Sequence, residues 1–139
     1  MEQEKPIYDS FCVDASANNI TKVCEYKVIH LQSKSVIYES KVYQGGTNNI
    51  AEFLAVVHAL AHCKKNNTAI PVYSDSVTAI SWVRNKKYKT TTIKNQENEE
   101  LFNLLERAIV WLKTNQYPNK VLKWRTEIWG ENPADYNRK

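Results

Sequence analysis

The chain has 139 residues, a length that folds as one domain around its own apolar core. Hydrophobic residues make up 42% and charged residues 24%, with a formal net charge of +4, which is typical of soluble globular proteins. The three cysteines form no C-x-x-C pair, which argues against a disulfide framework and a zinc knuckle. There is no apolar signal-peptide core and no run of the roughly 18 apolar residues that a membrane span needs. We therefore expect one domain over residues 1–139, a cytoplasmic location and no membrane partner.

The first third of the chain is β-rich. Residues 7–15 are apolar and include an aspartate near their end, and residues 22–32 and 35–44 alternate polar and apolar side chains. Short links that contain Asn or Ser separate the three segments. This pattern predicts an antiparallel β-meander.

Helices and strands alternate after the meander. We predict helices over 50–65, 76–84 and 98–113, strands over 69–74 and 121–125, a basic loop over 85–94, and a polar segment from 127 to the end. A meander followed by alternating elements predicts an α/β fold with a mixed sheet and helices on its faces.

Three acidic residues lie where a structural role does not explain them. Asp14 is in an apolar strand, Glu52 is on the core-facing stripe of a helix, and Asp75 ends a buried strand. Buried carboxylates are costly unless they are paired, protonated or metal-bound, and no Lys or Arg is adjacent in sequence to Asp14 or Asp75. Carboxylates that converge would favour a hard divalent cation. The alternative is a set of capping and edge carboxylates that never meet.

Four short motifs carry a resemblance to a known family. Residues 12–16 read CVDAS, 47–52 read TNNIAE, 73–76 read YSDS and 132–135 read NPAD. In this order they resemble the motifs of type 1 ribonuclease H in its single-domain bacterial form, over nearly the whole chain. The resemblance implies the ribonuclease H-like fold, a five-stranded mixed sheet in the order 3-2-1-4-5 with an antiparallel meander and helices on both faces.

The resemblance also implies an activity and a cofactor. It implies an endoribonuclease that hydrolyses the RNA strand of RNA–DNA hybrids and leaves 5′-phosphate and 3′-hydroxyl products. Asp14, Glu52, Asp75 and Asp135 would hold two Mg2+ ions, with Mn2+ as the alternative metal. One ion would activate a water and the other would stabilise the leaving 3′ oxygen. We expect a monomer with no obligate protein partner.

Substrate selection requires a group that reads the 2′-hydroxyl of RNA. Asn48 and Asn49 lie one turn before Glu52, and their amides both donate and accept hydrogen bonds. By resemblance they contact the minor groove of the hybrid, Thr47 binds a phosphate of the DNA strand, and Ser16 belongs to the same binding set. The alternative for residues 47–49 is simple helix capping.

A basic segment begins at the end of the second predicted helix and matches the basic protrusion of the family. Its cations are Arg84, Lys86, Lys87 and Lys89, and they are interleaved with the aromatic residues Trp82 and Tyr88. This composition suits a nucleic-acid backbone. The alternative is a solvated run of surface charge.

The chain departs from the family at several positions. The family usually has a His about ten residues before the last Asp, and this chain has none there. Glu127 is the candidate replacement, as a proton carrier or metal-attracting group. The alternative is that Glu127 is an ordinary surface Glu. The protrusion is short, which predicts weaker and more salt-sensitive binding. Ala15 replaces the usual Gly. A competing interpretation is therefore a catalytically weak module that binds hybrids or structured RNA; another nuclease of the fold is disfavoured by residues 47–49.

Overall fold

The structure is a computed structural model, and it describes residues 5–134. The elements in this range, in chain order, are β1 Phe11–Asn18, β2 Val23–His30, β3 Val36–Glu39, β4 Tyr43–Gln44, α1 Asn48–Lys65, β5 Val72–Ser74, α2 Val77–Asn85, α3 Glu99–Thr114, β6 Val121–Lys123 and α4 Thr126–Trp129. None of these helices is both long and apolar enough to cross a membrane.

The strands form one mixed sheet in the order β3-β2-β1-β5-β6, and β4 also pairs with β2. The pairs β1–β2 and β2–β3 are antiparallel, whereas β1–β5 and β5–β6 are parallel. The predicted α/β fold, its meander and its strand order 3-2-1-4-5 are thus confirmed, with β3 and β4 together forming the predicted third strand. That strand is interrupted at Ser40, whose hydroxyl accepts a hydrogen bond from the Tyr26 amide and donates one to the Lys41 carbonyl.

The two faces of the sheet are covered unequally. The main core contains the buried residues of α1, α2 and α3, and β1 contributes Phe11, Val13 and Ala15 to it. Cys12 points to the opposite face, where the smaller cluster contains Trp124 and packs against Trp129 of α4. Helices therefore lie on both faces, as predicted, but all the long ones lie on one face. Each large side chain in this core contributes about 1.5–3 kcal/mol of stability.

Helix α1 begins two residues earlier than predicted. Thr47 is its N-cap, since the Thr47 hydroxyl accepts a hydrogen bond from the Ile50 amide at 3.2 Å. Gly45 has a φ of +77°, and a Cβ at this position would lie 2.5 Å from the Cβ of Asn98. Only glycine therefore lets the chain turn into α1 this close to the start of α3.

Two other predicted boundaries differ from the structure. Strand β1 begins at Phe11 instead of residue 7 and continues to Asn18, whose side chain accepts the amides of Ile20 and Thr21 and so turns the chain. Residues 126–129, predicted to lie at the start of a polar tail, form α4 because Trp129 packs edge-on against the aromatic rings of the second core. The helix depends on tertiary contacts that local sequence does not reveal, whereas the turn after β1 is made by contacts two and three residues apart.

Candidate active site

The register of two parallel strands brings Asp14 and Asp75 to the same edge of the sheet. Cys12 of β1 lies opposite Tyr73 of β5, and each aspartate follows two residues later in its chain. Side chains two residues apart on a strand share a face, so Asp14 lies on the face of Cys12. This edge is formed by the carboxyl ends of adjacent parallel strands, which is where α/β sheets place their ligand sites.

Glu52 reaches this edge from α1. Its side chain is 1% exposed, and the Ser74 hydroxyl donates a hydrogen bond to Glu52 Oε2 at 2.8 Å. The same hydroxyl accepts the amide of Ser76 at 3.0 Å, so Ser74 links Glu52 to the backbone on both sides of Asp75. Burial, followed by the negative charge of Asp14 and a smaller effect of Asp75, raises the pKa of Glu52 to about 8. Asp14 and Asp75 are therefore both close enough to Glu52 for their negative charges to disfavour its ionised form.

Two lysines flank the aspartates across the sheet. Lys27 of β2 lies opposite Asp14 in the antiparallel register, and Lys123 of β6 has its Nζ 4.0 Å from Asp75 Oδ1. The strand order places these lysines outside the aspartate pair. The sequence showed no adjacent cation because both lysines are neighbours across strands. The half-exposed Lys123–Asp75 pair contributes little stability.

Asp75 has two further partners that sequence reasoning missed. Thr126 Oγ1 donates to Asp75 Oδ1 at 3.2 Å, and Asn132 Nδ2 donates to Asp75 Oδ2 at 3.3 Å. Both residues come from the segment after β6, which folds back over the sheet edge. Asn132 lies in one of the four recognised motifs, and that was the only signal for it in the sequence.

The described carboxylates offer the oxygen ligands that a hard cation prefers, but they do not form a compact cluster of metal ligands. Among residues 5–134, no three His, Cys, Asp or Glu side chains are gathered closely enough to hold a metal ion. However, the ligands are all oxygens, and the negative charges of Asp14 and Asp75 add to burial in raising the pKa of Glu52. A divalent cation would relieve this repulsion, so the residues fit such an ion. Asp135, the fourth predicted ligand, lies outside the described residues.

The predicted substrate residues form two groups near the head of α1 and along β1. Asn48 and Asn49 occupy the first turn of α1, are exposed, and have no hydrogen-bond partner for their side chains among the described residues. The capping role belongs to Thr47 alone. Ser16 lies two residues beyond Asp14 on the same face of β1 and is half-buried. The amides at the head of α1 are thus available to a ligand.

The basic segment is exposed, but its aromatic residues are not. Arg84, Lys86, Lys87 and Lys89 are exposed and form no ion pair within the described chain. Trp82 is 8% exposed and packs edge-on against Phe53, and Tyr88 packs against Trp82 and donates its hydroxyl to Glu106 at 2.7 Å. The aromatic residues therefore anchor the loop to the core.

Glu127 lies in the first turn of α4 and is exposed. Its own backbone N–H, then Arg125 with its Nε at 3.4 Å, holds the pKa of the Glu127 carboxyl below its ordinary value. A carboxyl group with a lowered pKa carries almost no proton near neutral pH. This geometry favours a charged surface group over a proton carrier.

Comparison with known proteins agrees with this architecture. The model of the RNase H family matches residues 9–124. LC11-RNase H1, isolated from compost by a metagenomic approach, aligns over 85% of this chain and 84% of its own with 16% identity and a TM-score of 0.52. The structure of LC11-RNase H1 in complex with RNA/DNA hybrid aligns over 85% of this chain and 86% of its own, with 21% identity and a TM-score of 0.50. At these identities the structural likeness shows the fold.

Proposed function

We propose, from the premise that this chain belongs to the RNase H family, that it hydrolyses the RNA strand of RNA–DNA hybrids and leaves 5′-phosphate and 3′-hydroxyl ends. One observation carries the proposal. Asp14 lies within β1 and Asp75 directly follows the adjacent parallel strand β5, and both carboxylates add to burial in raising the pKa of Glu52. Buried carboxylates near one another lower the stability of a fold, and proteins keep such clusters mainly at binding and catalytic sites.

The metal ligands in this proposal are Asp14, Glu52, Asp75 and Asp135, and they hold two Mg2+ ions, or Mn2+ in their place. When bound, the metal supplies an activated water and stabilises charge on the leaving oxygen. The chain fixes the backbones of Asp14 and Asp75 in neighbouring strands and holds Glu52 through Ser74. Glu52 must give up its proton to become a ligand, so metal affinity should rise with pH.

Hybrid selectivity is assigned to the head of α1. Asn48 is four residues and Asn49 three residues before Glu52, so the three side chains share one side of the helix. Amides that lack partners in the described chain can donate to and accept from a 2′-hydroxyl. LC11-RNase H1, which has this fold, has been solved in complex with RNA/DNA hybrid, and this supports a hybrid as the substrate here.

Cleavage of a labelled hybrid, alongside duplex DNA and duplex RNA, tests the proposal with Mg2+, Mn2+ or EDTA. We expect metal-dependent cleavage of the RNA strand only. D14N and D75N should each lower the rate on the order of a hundredfold or more, since each removes a charged ligand worth several kcal/mol in the transition state. Hybrid affinity and fold should stay close to wild type.

The matched control is D9N. Asp9 is an exposed aspartate that bonds to His30 before β1 begins, at the opposite end of that strand from Asp14. D9N should keep full activity. Full activity in D14N or D75N would refute the site, and tight hybrid binding by a wild-type protein that never cleaves would favour the weak binding module.

A further inference from the structure

Asn132 is a buried amide at the edge of the candidate site. It is 2% exposed, although it lies in an irregular segment after α4. Its Nδ2 donates to the Val13 carbonyl at 2.9 Å and to Asp75 Oδ2 at 3.3 Å, and its Oδ1 accepts the Ala134 amide at 2.9 Å. Both donor hydrogens and the acceptor are therefore used, as a buried polar side chain requires.

The three partners of Asn132 belong to the three separate segments that carry aspartates. Val13 immediately precedes Asp14 in β1, Asp75 is bonded directly, and Ala134 immediately precedes Asp135 in the sequence. These segments come from distant parts of the chain. A single side chain thus ties the backbone beside Asp14 and the carboxylate of Asp75 to the segment that ends at Ala134.

The chemistry of this contact is specific to asparagine. The partners are a carbonyl, a carboxylate and an N–H, so the position needs two donors and one acceptor at the end of a short side chain. Aspartate has the same size but lacks both donors, and it would place another negative charge against Asp75. Alanine would leave the Val13 carbonyl and the Ala134 amide without their partner.

The same segment has anchors that do not involve Asn132. The Trp124 indole N–H donates to the Gly130 carbonyl at 2.8 Å, and Ala134 is fully buried in the smaller core cluster. The fold of the segment therefore does not depend on Asn132 alone. What Asn132 adds is the link between this segment and the two aspartate-bearing strands.

We propose that Asn132 is a positioning residue, which aligns Asp75 and the segment leading to Asp135 with the part of β1 that carries Asp14, so that the carboxylates can share metal ions. This inference rests on the proposed function only in taking the carboxylates as metal ligands. Side chains that orient metal ligands typically change metal affinity or activity by about 10- to 100-fold when they are replaced.

The test compares N132A and N132D with wild type and with N119A. Asn119 is a buried asparagine whose Nδ2 donates to the carbonyls of Thr68 and Ile70 at 3.0 and 2.7 Å. These carbonyls precede β5, whereas Asp75 follows it, so Asn119 makes an equivalent bridge at the opposite end of the strand. N119A therefore measures the stability cost of losing such a bridge without touching the carboxylates.

Three measurements are made on the full chain. Hydrogen exchange at the Ala134 amide measures how well its hydrogen bond to Asn132 is kept. Calorimetric titration with Mg2+ alone measures metal affinity, and kcat and KM measure hybrid cleavage. In N132A we expect Ala134 to exchange at least about tenfold faster, Mg2+ affinity and kcat to fall by about 10- to 100-fold, and KM to change little. N132D should keep the Ala134 bond but show the same losses in Mg2+ affinity and kcat. N119A should lose stability but keep the wild-type Ala134 exchange rate, Mg2+ affinity and cleavage kinetics.

The proposal is overturned if the Asn132 variants bind Mg2+ as tightly as N119A does, or if wild type binds no Mg2+. Should N132A fail to fold, N132D decides, because it keeps the size and the acceptor; failure of both to fold would assign Asn132 a purely structural role. If wild type binds Mg2+ more tightly than the Asn132 variants but cleaves no hybrid, the positioning role stands and the proposed function falls.

Discussion

At the scale of single residues, the Glu52 carboxyl couples folding to pH. Its pKa is raised from 4.5 to about 8 in the folded protein, chiefly by burial and then by Asp14. Between these values the folded protein holds a proton that the unfolded chain has released. The stabilisation is therefore complete below pH 4.5 and is lost as the pH rises through 8.

We expect the free energy of unfolding of the metal-free protein to fall on the order of 3 kcal/mol more in wild type than in E52Q between pH 5 and pH 8.5. Urea unfolding in EDTA at a series of pH values measures it. E52Q is the matched comparison, because it keeps the shape and cannot ionise. Parallel pH curves for the two proteins would show that Glu52 ionises normally.

Ser74 is the other residue whose role is local and testable. Its fully buried hydroxyl donates to Glu52 and accepts from Ser76. S74A should lower Mg2+ affinity by about tenfold, since the Glu52 carboxyl loses the group that orients it. S74T, which keeps a hydroxyl, should restore most of that affinity in the same titration. Equal affinities in S74A and wild type would remove Ser74 from the site.

At the scale of elements, the head of α1 separates the capping residue from the two residues proposed to recognise the substrate. Thr47 caps the helix, whereas Asn48 and Asn49 are exposed. T47A should cost about 1 kcal/mol of stability, which thermal unfolding can measure.

The double variant N48A/N49A should leave stability within about 0.5 kcal/mol of wild type, as exposed positions usually do. Its preference for hybrid over duplex DNA should fall, because the amides that read the 2′-hydroxyl are gone. Competition binding with the two duplexes measures that preference. An unchanged preference would place 2′-hydroxyl recognition elsewhere on the protein.

At the scale of the whole molecule, exposed cationic side chains form more than one group. Lys86, Lys87 and Lys89 follow the end of α2, whereas Lys65 and Lys113 lie in the last turns of α1 and α3, which the bond from Lys64 to the Gln116 carbonyl brings near one another. The net charge of +4 therefore does not by itself locate a binding face. The salt dependence of binding can locate that face, because each lost phosphate contact lowers the slope of log K against log salt concentration by nearly one.

Neutralising Lys86, Lys87 and Lys89 together by mutation to Ala should weaken hybrid binding and lower the slope of log K against log salt by about 2–3. The control neutralises Lys65, Lys113 and Lys120, which are exposed. Fluorescence anisotropy at several salt concentrations gives both slopes. Equal slopes in the two triple variants would make the basic segment ordinary solvated surface.

The sequence by itself predicted the sheet and the three long helices, and it singled out Asp14, Glu52 and Asp75, which the fold brings near one another. Alternation predicted the meander, an apolar run before Asp75 predicted β5, and the helical stripe placed Glu52 toward the core. These signals are local, because strand and helix periods and caps are set by residues a few positions apart.

Only the tertiary structure decided which groups surround those carboxylates. Lys27 and Lys123 flank the aspartates through strand register, Ser74 reaches Glu52 across 22 positions, and Asn132 reaches Val13 across 119. Trp82 and Tyr88 face the core for the same reason, since packing overrides the pattern of neighbours in sequence. Hydrogen bonds and charges act over a few ångströms in space, and the fold alone sets which residues come that close.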